Sequence, residues 1–531
     1  MSDKMIPPSF EQLLKELLKE YKETNCFLAV PVKRRKEKAY ESKIGPAAGP
    51  HTQLAGNMIA AYGAGASHFE LKTVQILEGE ALGIVKPCIY SAQEVYNTEW
   101  STELTVSKAQ DEYIKAYLLL KVLIQEFGLG DTDGFHFIMS VGYDLAGIQS
   151  EKIDSFIENL KNASETKEWQ KDINYLLQNL HLFEHITKEE IEAISPVISS
   201  TIALSTMHGC KSEEIKAIAS YLIEEKKLNT YVKMNPTLLR KEEIQSILQQ
   251  MGYQHIQVED KTFEDDIKFD TAVQMLRSLQ MTASNHDLTF GVKLTNTLPV
   301  AIKKNELIGE TMYLSGAALY PIALGVAAKL SKEFEGQLLI SYSGGADRNN
   351  IKEILETGIY PVTISSVLLK AGGYKNITRM NEKADQVVRD KEVAINVSLL
   401  EDLAKKAVLQ EAYHQKERKS LNRTKEYSLL CAKCNNCIDV CPNRANKKFF
   451  VKDKAYILHY DNLCNECGNC SFYCVEGHDP YLDKMTVFQE EWMFQESNNQ
   501  GFFQSGNGVI YRIYNKEEKE QVESLEEYYE F

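Results

Sequence analysis

The chain has 531 residues, 44% of them hydrophobic and 25% charged, an ordinary balance for a folded protein with room for roughly two to four domains. Its net charge of −15 argues against nucleic-acid phosphate as a main partner, because backbone binding requires a cationic surface. No apolar run approaches the ~20 residues of a membrane helix, and the acidic, periodic start MSDKMIPPSFEQLLKELLKE is unlike a signal peptide, so a cytoplasmic protein with no membrane partner is expected.

Residues 1–40 are expected to form an N-terminal helical segment, since Phe10, Leu13, Leu14, Leu17 and Leu18 recur at helical spacing within 9–23. From 41 to 400, short apolar or β-branched runs alternate with longer helical patterns. The strand candidates are HFELKTV (68–74), FHFIMSV (135–141), TIALSTM (201–207), TYVKMNP (230–236), FGVKLTN (290–296), LLISYSG (338–344) and YPVTISS (360–366). Such alternation predicts parallel strands with helical crossovers, and seven or eight units in about 360 residues favour a closed barrel over an open doubly wound sheet. Residues 151–198, helix-rich and charged, are expected to be an insertion in one barrel connection. Residues 401–426 read as a charged helical linker, 427–485 as a cysteine-rich module, and 486–531 as a hairpin (QGFFQSGNGVIYRIYN) with an acidic tail.

Eight of the eleven cysteines form two runs of identical spacing 33 residues apart: Cys431, Cys434, Cys437 and Cys441, then Cys464, Cys467, Cys470 and Cys474. Three thiolates on one tight loop and a fourth from elsewhere are what a cubane iron–sulfur cluster requires. In a two-cluster ferredoxin each run's last cysteine serves the other cluster. Cys431, Cys434, Cys437 and Cys474 are therefore expected to hold one [4Fe–4S] centre, and Cys441, Cys464, Cys467 and Cys470 its partner. Pro442 follows the first run as that pattern expects; Val475 departs from it after the second. Four-thiolate zinc is the alternative, although zinc ribbons rarely place a third cysteine three residues after the second. The expected fold is thus α/β, a (β/α)8 TIM barrel followed by a small bacterial-type 2[4Fe–4S] ferredoxin domain, in a chain that moves electrons. Cys26 and Cys88 stand unpaired, as buried hydrophobes in a reducing compartment would.

Clusters deliver single electrons, so a two-electron substrate needs an intermediary such as a flavin, and the barrel is its expected seat. Barrel enzymes place their sites at the C-terminal ends of strands. SYSGG (341–345) ends an apolar strand in Gly344 and Gly345, whose backbone can closely approach a phosphate; an ordinary turn fits equally. Thr363, Ser365 and Ser366 end the next strand, and LSGAALYP (314–321) is expected as a further loop of the same wall. Lys72 and Lys233 stand in apolar strands, where a charge costs several kcal/mol unless an anionic or polar group meets it. Flavin or phosphate oxygens could do so, as could structural partners, and Lys293 sits likewise. STMHGC (205–210) ends a strand before a helical run, placing Cys210 on a loop at the active end. A thiol there can protonate carbon, with the helix N-terminus expected to lower its pKa. His208 is the rival donor, and simple packing explains either residue.

GPAAGPHTQLAGNMIAAYGAGASHFELKTV (45–74) resembles the first strand–helix–strand unit of the dihydroorotate and dihydropyrimidine dehydrogenases. The likeness continues through IMSVGYD (138–144), LSTMHGC (204–210), VKMNP (232–236), KLTNTL (293–298), LSGAALYPIAL (314–324) and SYSGG (341–345) into the cysteine module. GPAAGPHTQLA, YNTEWSTE (96–103), LSTMHGC and VKLTNTL look closer still to the YgfK proteins, often labelled selenate reductases and found with purine-catabolic genes. Longer members of that group continue into a flavin- and pyridine-nucleotide-binding half. The resemblance implies FMN lined by Ala48, Gly49, Lys72, Lys233, Gly316, Gly344, Gly345 and Ser366. It also implies Cys210 as the acid, and Asn97, Asp144, Asn296 and Thr297 as substrate-binding residues. Asp144 stands where the pyrimidine enzymes have asparagine, and Ala203 where they have another. A carboxylate only accepts, so the exchange favours a ring edge presenting N–H donors, and the alanine makes room: an oxidised heterocycle larger than a pyrimidine, such as an oxopurine.

The expected activity is reduction or oxidation of a C=C or C=N bond in a nitrogen heterocycle, an oxopurine or pyrimidine of purine catabolism. Gly63 and Gly65 lack the third glycine of a dinucleotide fingerprint, so electrons are expected from a partner: an FAD/NAD(P)H-binding subunit or a reduced ferredoxin, in a hetero-oligomer. The tail 516–531, with seven glutamates, either docks that partner or is a solvated end. The competing expectation is a non-catalytic electron-transfer subunit serving a selenium- or molybdenum-dependent complex. Nothing resembles a molybdopterin site, which leaves selenate reduction least supported.

Overall fold

The computed structural model describes residues 5–33, 41–98, 101–206, 208–388, 394–416, 431, 433–451, 454–505 and 508–512. The acidic tail, linker residues 417–426 and module residues 427–430 lie outside them. Eight parallel strands, β1 (Ile44–Pro46), β2 (His68–Glu70), β3 (His136–Gly142), β4 (Thr201–Ser205), β5 (Asn229–Met234), β6 (Phe290–Leu294), β7 (Leu339–Tyr342) and β8 (Val362–Ile364), join in the order β1–β8–β7–β6–β5–β4–β3–β2. The two end strands meet through the Ser67 amide, which donates to the Ile44 carbonyl at 3.1 Å, so the sheet is a nearly closed TIM barrel. Gly45 permits that closure: a Cβ there would fall 1.5 Å from the His68 carbonyl oxygen. β6 and β8 are buried throughout, while β5 alternates buried and half-buried residues.

Two features depart from the sequence reading of the barrel. LSGAALYP is not a loop: Thr311–Gly316 is a strand, and Tyr320–Glu333 a helix with Pro321 in its first turn, where the missing N–H costs nothing. That strand belongs to a four-stranded antiparallel sheet with Leu298–Ala301, Glu94–Asn97 and Ile89–Ser91, a roof over the C-terminal mouth that periodicity did not suggest. Second, the supposed linker begins as the helix Val397–Leu409, which buries Leu400, Leu403 and Ala407 and bonds Glu401 to Lys332 of the Tyr320–Glu333 helix at 3.0 Å. An apolar stripe pulls it onto the barrel wall.

Between β3 and β4 lie the helices Glu151–Lys161, Lys167–Gln178 and Lys188–Glu192. They pack on the helix Val106–Phe127 through Phe156 on Tyr113 and Trp169 beside Tyr117. In the cysteine module, a hairpin of Asn446–Val451 and Lys454–Tyr460 continues through Thr486–Phe488 into the hairpin Gly501–Ser505/Gly508–Arg512. The final hairpin thus completes the module's five-stranded sheet instead of standing apart. The N-terminal helix Phe10–Thr24, closed by a Ser9–Gln12 capping box, buries Phe10, Leu13, Leu14, Leu17 and Leu18. It ties the module to the barrel: Glu16 meets Lys447 at 2.6 Å, and Arg444 donates to the Leu28 carbonyl. Among the described residues no helix is long and apolar enough to cross a membrane.

Candidate functional site

A cleft of about 1060 Å³, its open mouth included, sits at the C-terminal ends of the barrel strands. Ala48, Gly49, Lys72, Lys233, Gly316, Gly344, Gly345 and Ser366 all line it, as do Asn97, Asn296 and Thr297. Residues as far apart in sequence as Ala47 and Leu369 meet because every βα loop opens on this one end. Ile89, Val95, Ser315 and Gly316, from the antiparallel roof, cover it.

One wall has the chemistry of a phosphate cradle. After β7 the chain turns at Gly344 and Gly345; Gly345 has φ of +70°, and a Cβ there would lie 2.3 Å from the Gly316 carbonyl oxygen. Gly316 itself has φ of +76°. Among the described residues no acceptor meets the amides of Gly344, Gly345 or Ser366, so three N–H groups are left to a ligand. Thr295 Oγ1, another cleft residue, is buried without a partner. A cradle that only glycine fits, together with orphan donors, suits the phosphate and polar ring edge of FMN.

The lysines separate into two roles. Lys72 comes just after β2, is 2% exposed, and donates to Gln53 Oε1 at 3.2 Å; burial brings its pKa down to about 8. Lys293 is no alternative to it: its Nζ meets Glu70 Oε2 at 2.7 Å and Thr363 Oγ1 at 2.6 Å beneath the cleft. Lys233 lines the cleft and stands 3.9 Å from Glu70 Oε1. Burial pushes the Glu70 carboxyl up, but Lys293 and Lys233 hold it below its ordinary value. Glu70, two residues before Lys72, is the site residue the sequence reading passed over; an acid in an apolar strand was the available signal.

At the other end of the cleft Asp266 organises the loops. It accepts from His208 Nδ1 at 2.7 Å, the Gly209 amide at 2.6 Å, Thr237 Oγ1 at 2.6 Å and Asn235 Nδ2 at 3.1 Å. Burial opposes its ionisation, yet the His208 bond and charge leave its pKa lowered. Asn235 Oδ1 then accepts from Asn296 Nδ2 at 2.7 Å, and Asn296 Nδ2 also reaches the Thr206 carbonyl. The carboxylate can only accept, so the amide chain has one polarity, and Asn296 keeps its oxygen for a ligand. Asp266 and Asn235 carried no motif of their own.

Three expectations are corrected here. His208 is not an open proton donor: its Nε2 is engaged by the Thr297 carbonyl at 3.1 Å, so both ring nitrogens hold the loop in place. The Cys210 thiol is not lowered by the following helix; burial, then Glu214 beside it at 3.7 Å, push it up to about 12. Cys210 is not among the cleft-lining residues, and neither are Asp144 and Ala203. Asp144 caps the short helix Leu145–Ile148 by accepting from the Gly147 amide at 2.7 Å, and its charge helps raise the Cys210 thiol.

The module's cysteines stand in two groups. Cys431, Cys434, Cys437 and Cys474 surround a second cavity of about 480 Å³ near the surface, where Cys434 is exposed. Cys441, Cys464, Cys467 and Cys470 lie deeper; burial pushes the Cys464 thiol up, and Cys441, Cys470 and Cys467 add to it. Backbone amides of Ala445 and Glu466 donate to Cys441 and Cys464 Sγ at 3.3 Å, and that of His478 to Cys474 at 3.4 Å, the N–H···S pattern that tunes clusters. Each quartet supplies four thiols, the donor set a cubane cluster takes. The inner one abuts the cleft: Cys467 packs with Cys88, Ile89, Val95 and Leu369, of which Ile89, Val95 and Leu369 also line the cleft.

A family profile described as oxidoreductase YgfK, N-terminal TIM-barrel domain, matches residues 23–416. Proteins of Escherichia coli K12 and O157:H7 named as YgfK oxidoreductases are each 42% identical over 401 residues, covering 71% of this chain and 39% of their own. The chain thus spans about two fifths of the length of these curated relatives. Among solved structures, DHODH of Eimeria tenella is similar with a TM-score of 0.42, both in complex with ferulenol and ligand-free. Identity is 12% and 13%, with 75% and 73% of this chain and 96% and 97% of those chains covered.

Proposed function

The chain belongs to the YgfK N-terminal TIM-barrel family of oxidoreductases, and on that premise we propose that it is an FMN and 2[4Fe–4S] enzyme acting on a C=C or C=N bond of a nitrogen heterocycle. The observation that carries this reading is the inner thiolate quartet lying against the cleft through Cys467, Ile89 and Leu369. FMN, when bound, exchanges single electrons with clusters and a hydride with substrate. The amides of Gly344, Gly345 and Ser366 would hold its phosphate, and Lys72 and Lys233 would supply positive charge beside it. Asn296 offers an oxygen and so selects a ring edge that presents an N–H donor, as oxopurines and pyrimidines of purine catabolism do. The carboxylate expected to make that selection, Asp144, serves as a helix cap, and the role passes to Asn296. The Cys210 thiol, protonated at neutral pH and carried on the loop before the helix Ser212–Glu224, is the proposed source of the proton for carbon. Electrons enter from an FAD/NAD(P)H-binding subunit or a reduced ferredoxin at the outer quartet, where Cys434 is exposed, in a cytoplasmic hetero-oligomer.

One observation favours the second reading, a non-catalytic electron-transfer subunit of a selenium- or molybdenum-dependent complex: Cys210 stands outside the cleft. The test is anaerobic purification with assay of iron, sulfide and FMN, then turnover of uracil, xanthine and hypoxanthine with an artificial reductant. Eight iron, one FMN and turnover support the enzyme. Full clusters without turnover of any heterocycle, with or without flavin, favour the relay subunit, and clusters in a chain unable to take up flavin overturn the enzyme reading.

A further inference from the structure

A row of buried polar side chains connects the cleft to the loops of the inner quartet. Lys72 Nζ donates to Gln53 Oε1 at 3.2 Å, Gln53 Nε2 to Asn443 Oδ1 at 2.9 Å, Asn443 Nδ2 to Asn465 Oδ1 at 3.2 Å, and Asn465 Nδ2 to Glu103 Oε1 at 2.8 Å. Lys86 closes the far end on Glu103 Oε2 at 2.8 Å. Lys72, Gln53, Asn443, Asn465 and Glu103 are each at most 6% exposed. Lys72, Gln53, Lys86 and Glu103 come from the barrel. Asn443 follows Cys441 by two residues, and Asn465 directly follows Cys464.

The row has a single polarity. An ammonium group only donates and a carboxylate only accepts, so every amide between them turns its carbonyl toward the cleft and its NH₂ toward Glu103. Apolar packing of Cys467 on Ile89 and Leu369 already docks the module, and buried polar groups add cost unless every one is paired. A fully paired row ending in a buried carboxylate beside the cluster loops therefore points to an electrostatic task. Negative charge close to a cluster opposes the arrival of an electron, and positive charge favours it.

Resting on the cluster assignment above, we propose that Glu103, held by this row and balanced by Lys86, is a positioning residue that sets the reduction potential of the inner cluster and so its readiness to pass electrons to the cleft. Glu103→Gln removes the negative charge and makes the inner cluster easier to reduce. Lys86→Met removes the balancing cation and makes it harder. Gln53→Leu cuts the row at the cleft end with no change of charge.

The experiment is an anaerobic redox titration of the full chain followed by electron paramagnetic resonance, with the outer cluster as internal control. Glu103→Gln should raise the inner cluster's reduction equilibrium at least tenfold, about 59 mV for one electron. Lys86→Met should lower it, Gln53→Leu should shift it less than threefold, and the outer cluster should hold its wild-type value. If Glu103→Gln loses iron, Lys86→Met carries the test alone. An unchanged inner potential, a shift of the opposite sign, an equal shift of both clusters, or a Gln53→Leu shift as large as that of Glu103→Gln overturns the proposal. Failure of the wild-type chain to assemble clusters would instead refute the cluster reading itself.

Discussion

Replacing Glu70 with leucine tests the floor of the cleft. The carboxylate is fully buried, with Lys293 Nζ at 2.7 Å, itself 2% exposed, and Lys233 Nζ at 3.9 Å. Glu70→Leu leaves Lys293 without a counter-charge in the barrel interior, a change that costs about 3–5 kcal/mol. At about 2.1 cal/mol/K of unfolding entropy per residue over roughly 360 barrel residues, that cost lowers Tm by about 4–7 °C. Differential scanning calorimetry at pH 7 reads this directly. Glu70→Leu combined with Lys293→Met replaces the pair by apolar groups and should recover most of the loss, because Lys233 can be solvated from the cleft. The pH dependence has a definite sign. The folded carboxyl lies below its unfolded value, so its stabilisation is complete above the unfolded pKa of about 4.3 and disappears as pH falls through the folded one. A single variant within about 1 °C of wild type, or a double variant as unstable as the single, would refute the reasoning.

Cys210→Ala should abolish heterocycle turnover while iron and FMN contents stay at wild-type levels. With the thiol pushed up to about 12, turnover at saturating FMN should show no basic limb between pH 6 and 9, and a limb that persists in Lys72→Met would exclude the thiol as the proton source. Gly345→Ala forces a side chain onto a backbone at φ of +70°, 2.3 Å from the Gly316 carbonyl oxygen. Fluorescence titration should show FMN affinity at least tenfold weaker, about 1.4 kcal/mol, and unaltered binding would remove that loop from the phosphate site. Burial holds Lys72 at about 8, far below the ordinary 10.5, and only its protonated form attracts an anion. FMN affinity should therefore fall as pH rises through about 8, with a proton taken up on binding, as calorimetry in two buffers would measure; a flat profile identical to that of Lys72→Met would contradict it.

Much of the barrel was legible because its strands are short apolar runs separated by helical patterns, and because strand-end motifs in any such barrel face the same mouth. That is why Ala48, Lys233, Gly345 and Ser366 meet although each was read from a separate motif. The antiparallel roof was not legible: Glu94–Asn97 and Thr311–Gly316 are brief, and they pair across more than 200 intervening residues. Glu70 was within reach, since an acid near a lysine in a buried strand asks for a partner. Asp266 was not, because its ligands His208, Asn235 and Thr237 reach it from other loops and none forms a local pattern with it. Lys293 shows the converse, a residue whose strand position suggested a ligand but whose partner is Glu70.

Local spacing alone determined the two thiolate runs and the alternation of strands and helices, since cluster ligation and strand burial impose patterns within a few residues of each other. It also drew attention to the glycines after β7, of which Gly345 has a φ of +70° that side chains rarely adopt. Only the folded chain decided that Cys210 and Asp144 do not line the cleft, that Asn296 spends its amide nitrogen on Asn235 and Thr206, and that Gln53 bonds Asn443 across 390 residues. Those outcomes depend on which buried donor meets which acceptor, a pairing set by distance in space and invisible to distance along the chain.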